Sequence, residues 1–389
     1  MTFMRSSQRS HQPSRPGHTA QGPAITHHRA VPMRWRAAIT LSIVGVLAAA
    51  CGSGSSVVTS TTAPAAAHGT AAVACAGSLL KLYEDTLGPD FKTATGDSFG
   101  GPPCAGSLAL ASEILANEIN PGVFLAVGAH AIKELFPTNR AKFAMAVAAD
   151  PLVIGYSSKS RYYTQLNEVR SGKKSLAYLW SLFATPGFTL GRTDPTQDPQ
   201  GIFFILESML AQKVLDLPAG EANQALGITP SSPFGDKSQM LDEDALPTDI
   251  ATGIVDAGTE YLPEAKQYGL DYITLPDTLN FSSPAEVSLY STVSLDVSGT
   301  VQQGEVIYLN VALVSPKTGT SFTAADETAD QAFATFMVSS TGRSILANVG
   351  YRLVPPVLHL APGVTTAGAA LPASTLRLYN SLGGSISTS

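Results

Sequence analysis

Cys75-Ala76-Gly77-Ser78 and Cys104-Ala105-Gly106-Ser107 form a near-repeat 29 positions apart, and each copy stands directly before an apolar, helix-forming run. A small residue, a glycine and a serine opening a helix leave backbone N–H groups and a hydroxyl pointing one way, which suits an anion. Gly77 and Gly106 let the backbone approach closely. Residues 71–74 before the first copy are an apolar run suited to a buried strand. Leu79, Leu80, Leu82, Tyr83 and Leu87 after it carry helical spacing. Strand, Gly-Ser turn and helix are the first half of a βαβ unit. The second copy opens a helix over 107–119, with Leu108, Ala111, Ile114, Leu115 and Ile119 on one face. Two such turns can grip one oxyanion. The plain alternative makes Ser78 and Ser107 ordinary helix caps.

The chain has 389 residues, 44% hydrophobic and 14% charged, enough for two globular domains. Residues 1–50 contain six arginines (Arg5, Arg9, Arg15, Arg29, Arg34, Arg36), no acid, and the uncharged run 37–50 at their end. This is the layout of a secretory signal, too short for a comfortable membrane span, and Met33 is a candidate true start. Leu47-Ala48-Ala49-Ala50-Cys51 resembles a bacterial lipobox, with Cys51 as the lipidated residue. Cutting there leaves 18 basic residues against 30 acidic, a formal charge near −12. Such a surface disfavours nucleic acid and acidic membranes and leaves an anion to local dipoles.

With Cys51 lipidated, Cys75 and Cys104 remain, and export exposes them to an oxidising compartment. Loops converging on one ligand lie close together, so a Cys75–Cys104 disulfide is expected, with two free buried thiols as the alternative. Only His68, His130 and His359 follow Cys51, too scattered for a zinc cluster. No histidine is placed to activate a serine, and Cys75 and Cys104 lack an obvious base. The sequence therefore reads as a non-enzyme without a cofactor.

Residues 51–70 read as a flexible Gly/Ser/Thr/Ala/Pro tether. Strands are expected at 123–127, 143–147 and 152–156, the last ending the first domain. In the second region, Asp194-Pro195 and Asp198-Pro199 lie in a loop before an apolar helix over 202–215. Proline after aspartate suits a helix start with Asp198 as N-cap. Arg192 is expected to pair with Asp194. Residues 229–246 look like a surface loop, and 253–261 like strand, turn and helix start. Strands are expected at 271–275, 287–295 and 306–314, helices at 323–338 and 341–349, and a peripheral tail over 361–389. Alternating strands and helices argue an α/β fold with largely parallel sheets, whose ligands sit beyond strand carboxyl ends.

Several segments together resemble extracellular molybdate/tungstate-binding proteins of ABC transporters, the tungstate-type branch most closely. They are Ala76-Gly77-Ser78-Leu79, Gly106-Ser107, Lys159-Ser160 after the strand at 152–156, Gly191-Arg192-Thr193-Asp194-Pro195, Asp198-Pro199-Gln200-Gly201, Asp256-Ala257-Gly258-Thr259-Glu260-Tyr261 and the run 269–276. The resemblance spans about 74–355. It implies a two-lobed type II periplasmic-binding-protein-like fold with one lobe discontinuous, 71–156 plus 277–360, and the other at 157–276. It implies closure on a tetrahedral oxyanion, with Ser78 and Ser107 among the donors and Asp198 and Glu260 as carboxylates approaching the metal of the oxometallate. The plain alternative makes Asp198 a helix cap and Glu260 a surface helix residue. The family pattern departs at Val127-Gly128-Ala129-His130 and at Ile202-Phe203, where it has an acidic and an aromatic residue and an aromatic-arginine pair. The lipobox implies a lipid anchor at the outer face of the membrane, and the resemblance implies a monomer serving an ABC permease. Phosphate- or sulfate-type binding, or a sensor or structural lipoprotein that kept the fold, are the alternatives.

Overall fold

Continuous apolar runs make the strands nearest the near-repeat, because strands covered on both faces need no polar alternation. The computed structural model describes residues 67–387. The expected leader at 1–50, the lipidation site Cys51 and the tether up to residue 66 lie outside the described residues. The chain begins with β1 (Thr70–Cys75), β2 (Ser98–Gly100), β3 (Val123–Val127) and β4 (Phe143–Ala149). It continues through β5 (Leu152–Tyr156), β6 (Leu190–Thr193), β7 (Met240–Leu241), β8 (Ala257–Tyr261) and β9 (Asp271–Thr274). A short ribbon, β10 (Ser294–Val297) and β11 (Thr300–Gln303), precedes β12 (Tyr308–Leu313), β13 (Val357–Leu360) and β14 (Ser385–Ser387).

These strands form two large mixed sheets, flanked by helices, in a two-lobed type II periplasmic-binding-protein-like fold. The first has order β14-β13-β4-β12-β3-β1-β2 and the second β7-β6-β8-β5-β9. β1 runs parallel to β2 and β3, whereas β12 lies antiparallel between β3 and β4. In the second sheet β6 is parallel to β7 and β8, and β5 is antiparallel to β8 and β9. The expectation of largely parallel sheets thus fails at β12, at β5 and between β13 and β4. β12 and β5 each follow a crossover from the other sheet and enter in the reverse direction.

The strand at 152–156, expected to end the first lobe, lies inside the second sheet between β8 and β9. The chain therefore crosses earlier, at Asp150-Pro151. The return crossover lies against it: Asp150 N–H donates to Ile307 O at 2.9 Å and Leu152 N–H to Asn280 O at 3.0 Å. Arg352 grips Asp277 through both carboxylate oxygens, at 2.6 and 3.1 Å.

Residues 361–389, expected to be peripheral, include the helix Ala373–Ser381 and the edge strand β14. Thr375 is fully buried and bonds Thr335 at 2.7 Å. The expected strand at 287–295 is helical over Val287–Tyr290 and extended only from Ser294.

Candidate functional site

The two Cys-Ala-Gly-Ser turns lie side by side. Ala76 and Ala105 form a parallel bridge, Gly77 N–H donates to Ala105 O at 3.0 Å, and Ala105 N–H donates to Cys75 O at 3.2 Å. Cys75 and Cys104 are joined by a disulfide with Cα atoms 4.7 Å apart. Covalent and hydrogen-bonded links thus fix both helix starts in one register. A continuous helical run leaves the first turn through Gly77–Leu79 and Leu80–Leu82, a wider π segment Tyr83–Leu87, and Gly88–Thr95. The helix Ser107–Ala116 leaves the second.

Neither serine acts as an ordinary cap. The residues at the cap positions are Ala76 and Gly106, and no side chain caps either start. Ser107 Oγ accepts Val127 N–H at 3.3 Å, which ties the second turn to the end of β3. Ser78 Oγ is buried and makes no well-formed hydrogen bond, although it faces Glu243 closely enough to favour that carboxyl's charged form.

Segments of the second sheet supply the facing wall. Asp198 is the N-cap of the helix Pro199–Val214, as its Asp-Pro context predicts. Its Oδ1 accepts Gln200 N–H and Thr193 Oγ1–H, each at 2.8 Å, while Oδ2 is buried without a partner. The Gln197 carbonyl just before it accepts Ala109 N–H at 3.1 Å. A Cβ on Gly106 would lie 2.6 Å from that carbonyl oxygen, and one on Gly77 would lie 2.6 Å from Glu243 Oε2. Both glycines are places of close approach, Gly106 to backbone and Gly77 to a side chain. A cavity of about 450 Å³ opens between Gly106, Thr193, Asp198 and Glu243.

Glu260 is neither on a helix nor on the surface. It lies in β8, fully buried, paired in register with Val153 of β5. Sequence reasoning missed Glu243, Glu264 and Tyr261, which join this region. Glu243 follows β7 inside the stretch expected to be a surface loop, and its Oε2 accepts Gly77 N–H at 2.6 Å. Within Asp242-Glu243-Asp244 nothing local distinguishes the inward carboxylate from its neighbours. Glu264 stands four residues after Glu260, a spacing that can bring two side chains together and was the one available hint.

Four buried carboxyls thus gather here, and none joins an ion pair of the described residues. Burial raises all of them, since a charged carboxyl is costly away from water. Asp198 is raised by burial, against the opposing donors Thr193, Gln200 and Ser107. Glu243 is pushed well above the carboxylate range by burial and then by the charges of Asp198 and Glu264. Burial raises Glu260 to about 8, and Glu264 beside it is also raised well above its usual value, by burial and then by the charge of Glu260. Contact within the pairs Asp198–Glu243 and Glu260–Glu264 is favourable when one member carries a proton. Glu243 feels Asp198, and Glu260 feels Glu243, so Glu243 links the two carboxylates singled out from sequence. The Tyr261 hydroxyl, buried and unpartnered, is raised by burial and then by Asp198 and Glu243. The region offers donors of several kinds: backbone N–H, the Ser78 hydroxyl, the Tyr261 phenol and protonated carboxyls. It can surround an anion without a charged residue. Among the described residues no group of three or more His, Cys, Asp or Glu is arranged to hold a metal ion.

Arg192 takes no part. It is fully buried, its guanidinium pulled down to about 10 by burial, and it donates to Gln239 Oε1 at 3.1 Å and to the carbonyls of Phe234 and Asp236. The expected bond to Asp194 is not made; that carboxylate accepts Thr196 N–H and Oγ1–H instead. His130 Nε2 lies 3.3 Å from Glu305 Oε1.

Comparison with known proteins gives the family of the chain. A family model for bacterial extracellular solute-binding proteins matches residues 71–352. A solute-binding protein of Saccharolobus solfataricus is 26% identical over 230 residues, covering 54% of this chain and 54% of that protein. The molybdate/tungstate-binding protein WtpA of Thermococcus kodakarensis is 24% identical over 187 residues, covering 43% of this chain and 50% of that protein. The chain spans about half the length of these curated relatives. Among solved structures, the periplasmic molybdate-binding protein of Azotobacter vinelandii aligns with a TM-score of 0.46 at 16% identity, over 74% of this chain and 100% of that one. With the family model matching well over half its length, the chain belongs to the bacterial extracellular solute-binding proteins.

Proposed function

We propose that this protein is the solute-binding component of an ABC importer and captures a tetrahedral oxyanion, tungstate or molybdate, between the paired turns and the carboxyl wall. The observation that carries the reading is the alignment of two helix starts by the Cys75–Cys104 link, with the Gly77 N–H on Glu243, buried polar atoms without partners at Ser78 and Asp198, and no cation among them. Donors on rigid turns recognise the shape of an oxyanion, which a single opposite charge does not. The carboxylates favour molybdenum or tungsten over sulfur. Sulfate carries no proton to share at neutral pH and is repelled wherever these carboxyls ionise. A hexavalent metal that expands its coordination can accept carboxylate oxygens from Asp198 and Glu260 as ligands. The names of the molybdate/tungstate-binding relatives point the same way.

In this reading Gly77, Ser78, Gly106 and Ser107 form the donor side. Asp198 and Glu260 approach the metal centre, and a membrane permease receives the ligand. A leader over 1–50 and lipidation at Cys51 would hold a monomer at the extracellular face, with lobes at 71–150 plus 277–387 and at 151–276. No catalytic step is assigned. Isothermal titration of the purified chain with tungstate, molybdate, sulfate, phosphate and small organic acids tests the reading. Micromolar or tighter binding of tungstate or molybdate, and weaker binding of the others, is expected. Binding of organic acids alone overturns it.

A further inference from the structure

Glu243 stands where a ligand of the first turn has to be. It reaches across from the segment after β7, 166 positions along the chain, and its Oε2 shares the Gly77 N–H, at 2.6 Å, with the Ala105 carbonyl at 3.0 Å. Its other oxygen, Oε1, has no partner, the residue is only 5% exposed, and no cation pairs with it. A carboxyl so placed, against Asp198 and Glu264, is strongly desolvated and its charged form disfavoured. The bond from Gly77 offsets part of that cost. Beside it, the Ser78 hydroxyl (4% exposed) and the Tyr261 hydroxyl (1% exposed) are buried donors without a partner. The first turn thus presents unused hydrogen-bonding capacity around an acceptor supplied by the chain itself.

Resting on the oxyanion reading above, we propose that Glu243 is a specificity-determining residue, an internal carboxylate that competes with the solute for the Gly77 N–H. An incoming anion gains from that donor only what it offers beyond a carboxylate already in place. A monocarboxylate exchanges one similar contact for another and gains nothing. A divalent oxyanion that engages both turns at once displaces Glu243 and keeps a surplus. The residue sets a threshold that excludes small organic acids without a clashing side chain, which is discrimination by competition rather than by shape.

Calorimetric titration of tungstate into the purified wild-type chain and the variants Glu243→Ala and Glu243→Gln tests the proposal, with formate as a second probe. Removing the competitor is expected to tighten tungstate at least tenfold in Glu243→Ala. Glu243→Gln, which keeps a neutral acceptor for Gly77, is expected to show about a threefold gain. Formate should compete with tungstate in Glu243→Ala and not in the wild type. Should the alanine variant fail to fold, the glutamine variant alone decides. Unchanged or weakened tungstate binding in the variants, with the wild type binding, overturns the proposal and leaves the oxyanion reading standing. Failure of the wild type and both variants to bind tungstate, molybdate, sulfate or phosphate overturns that reading, and the competitor role with it.

Discussion

Asp198 shows how a residue legible as a helix cap carries more than capping requires. One oxygen, Oδ1, satisfies both Gln200 N–H and the Thr193 hydroxyl, which leaves the buried Oδ2 outside the cap. Capping and ligand contact are therefore separable by substitution. Asp198→Asn retains an acceptor for the cap, so unfolding should shift by less than about 1 kcal/mol. Tungstate affinity should fall by about 2 kcal/mol, roughly thirtyfold. Asp198→Ala should lose affinity similarly and about 1 kcal/mol more stability. Equal tungstate affinity in wild type and Asp198→Asn would remove Asp198 from the ligand set. The two glycines also differ. An alanine at 106 meets the backbone carbonyl of Gln197, which cannot swing away, whereas one at 77 meets only the Glu243 side chain, from its Cβ at 3.1 Å to its Oε2 at 2.6 Å. Scanning calorimetry should find Gly106→Ala destabilised by about 1–3 kcal/mol and Gly77→Ala by less.

The paired turns explain why the near-repeat was the most informative stretch of the sequence. Its two copies became neighbours in a parallel bridge, and the expected disulfide joins them. Closing a loop of this length restricts the unfolded chain by about 3.5 kcal/mol. Reducing the purified protein, or replacing both cysteines with alanine, should lower the melting temperature by roughly 5–10 °C. A scan unchanged by reductant that has demonstrably freed both thiols would argue against this. The strands at 123–127 and 152–156 were legible to the residue because buried runs of Val, Phe, Leu, Ile and Ala have few alternative uses. Glu260 was misplaced as a possible surface helix residue because Gly258 and Thr259 read as a turn. Pairing on both sides of β5 overrode that local signal. Glu243 was not legible at all: its role comes from a contact across 166 positions, which no local pattern records.

Sheet membership is a property of the molecule rather than of any strand, and here the sequence misled. Nothing in 152–156 states which sheet it joins; the crossover bonds of Asp150 and Leu152 decide it. The same holds for titration, because burial by remote segments sets the charge of groups whose local sequence is ordinary. Asp330, in the helix Ala324–Val338, accepts Ala72 N–H at 2.9 Å, yet burial raises it from 3.8 to about 7. His359 in β13 is lowered by burial from 6.5 to about 4. The signs are opposite. Asp330 is protonated in the folded protein where the unfolded chain has lost the proton, so its contribution is full below about pH 3.8 and is lost as pH rises through about 7. His359 is neutral in the folded protein where the unfolded chain is charged, so its contribution is full above about pH 6.5 and is lost as pH falls toward 4. Melting curves from pH 4 to 9 should separate the two. Asp330→Asn, which keeps an acceptor for Ala72, should gain on the wild type by up to about 4 kcal/mol as pH rises from 4 to 7 and no further above 8. His359→Gln should lose ground to the wild type over pH 4 to 6.5, because it removes a residue whose stabilising effect grows across that window. Parallel curves for wild type and Asp330→Asn would mean that the Asp330 carboxyl is already ionised in the fold, with the Ala72 N–H outweighing burial.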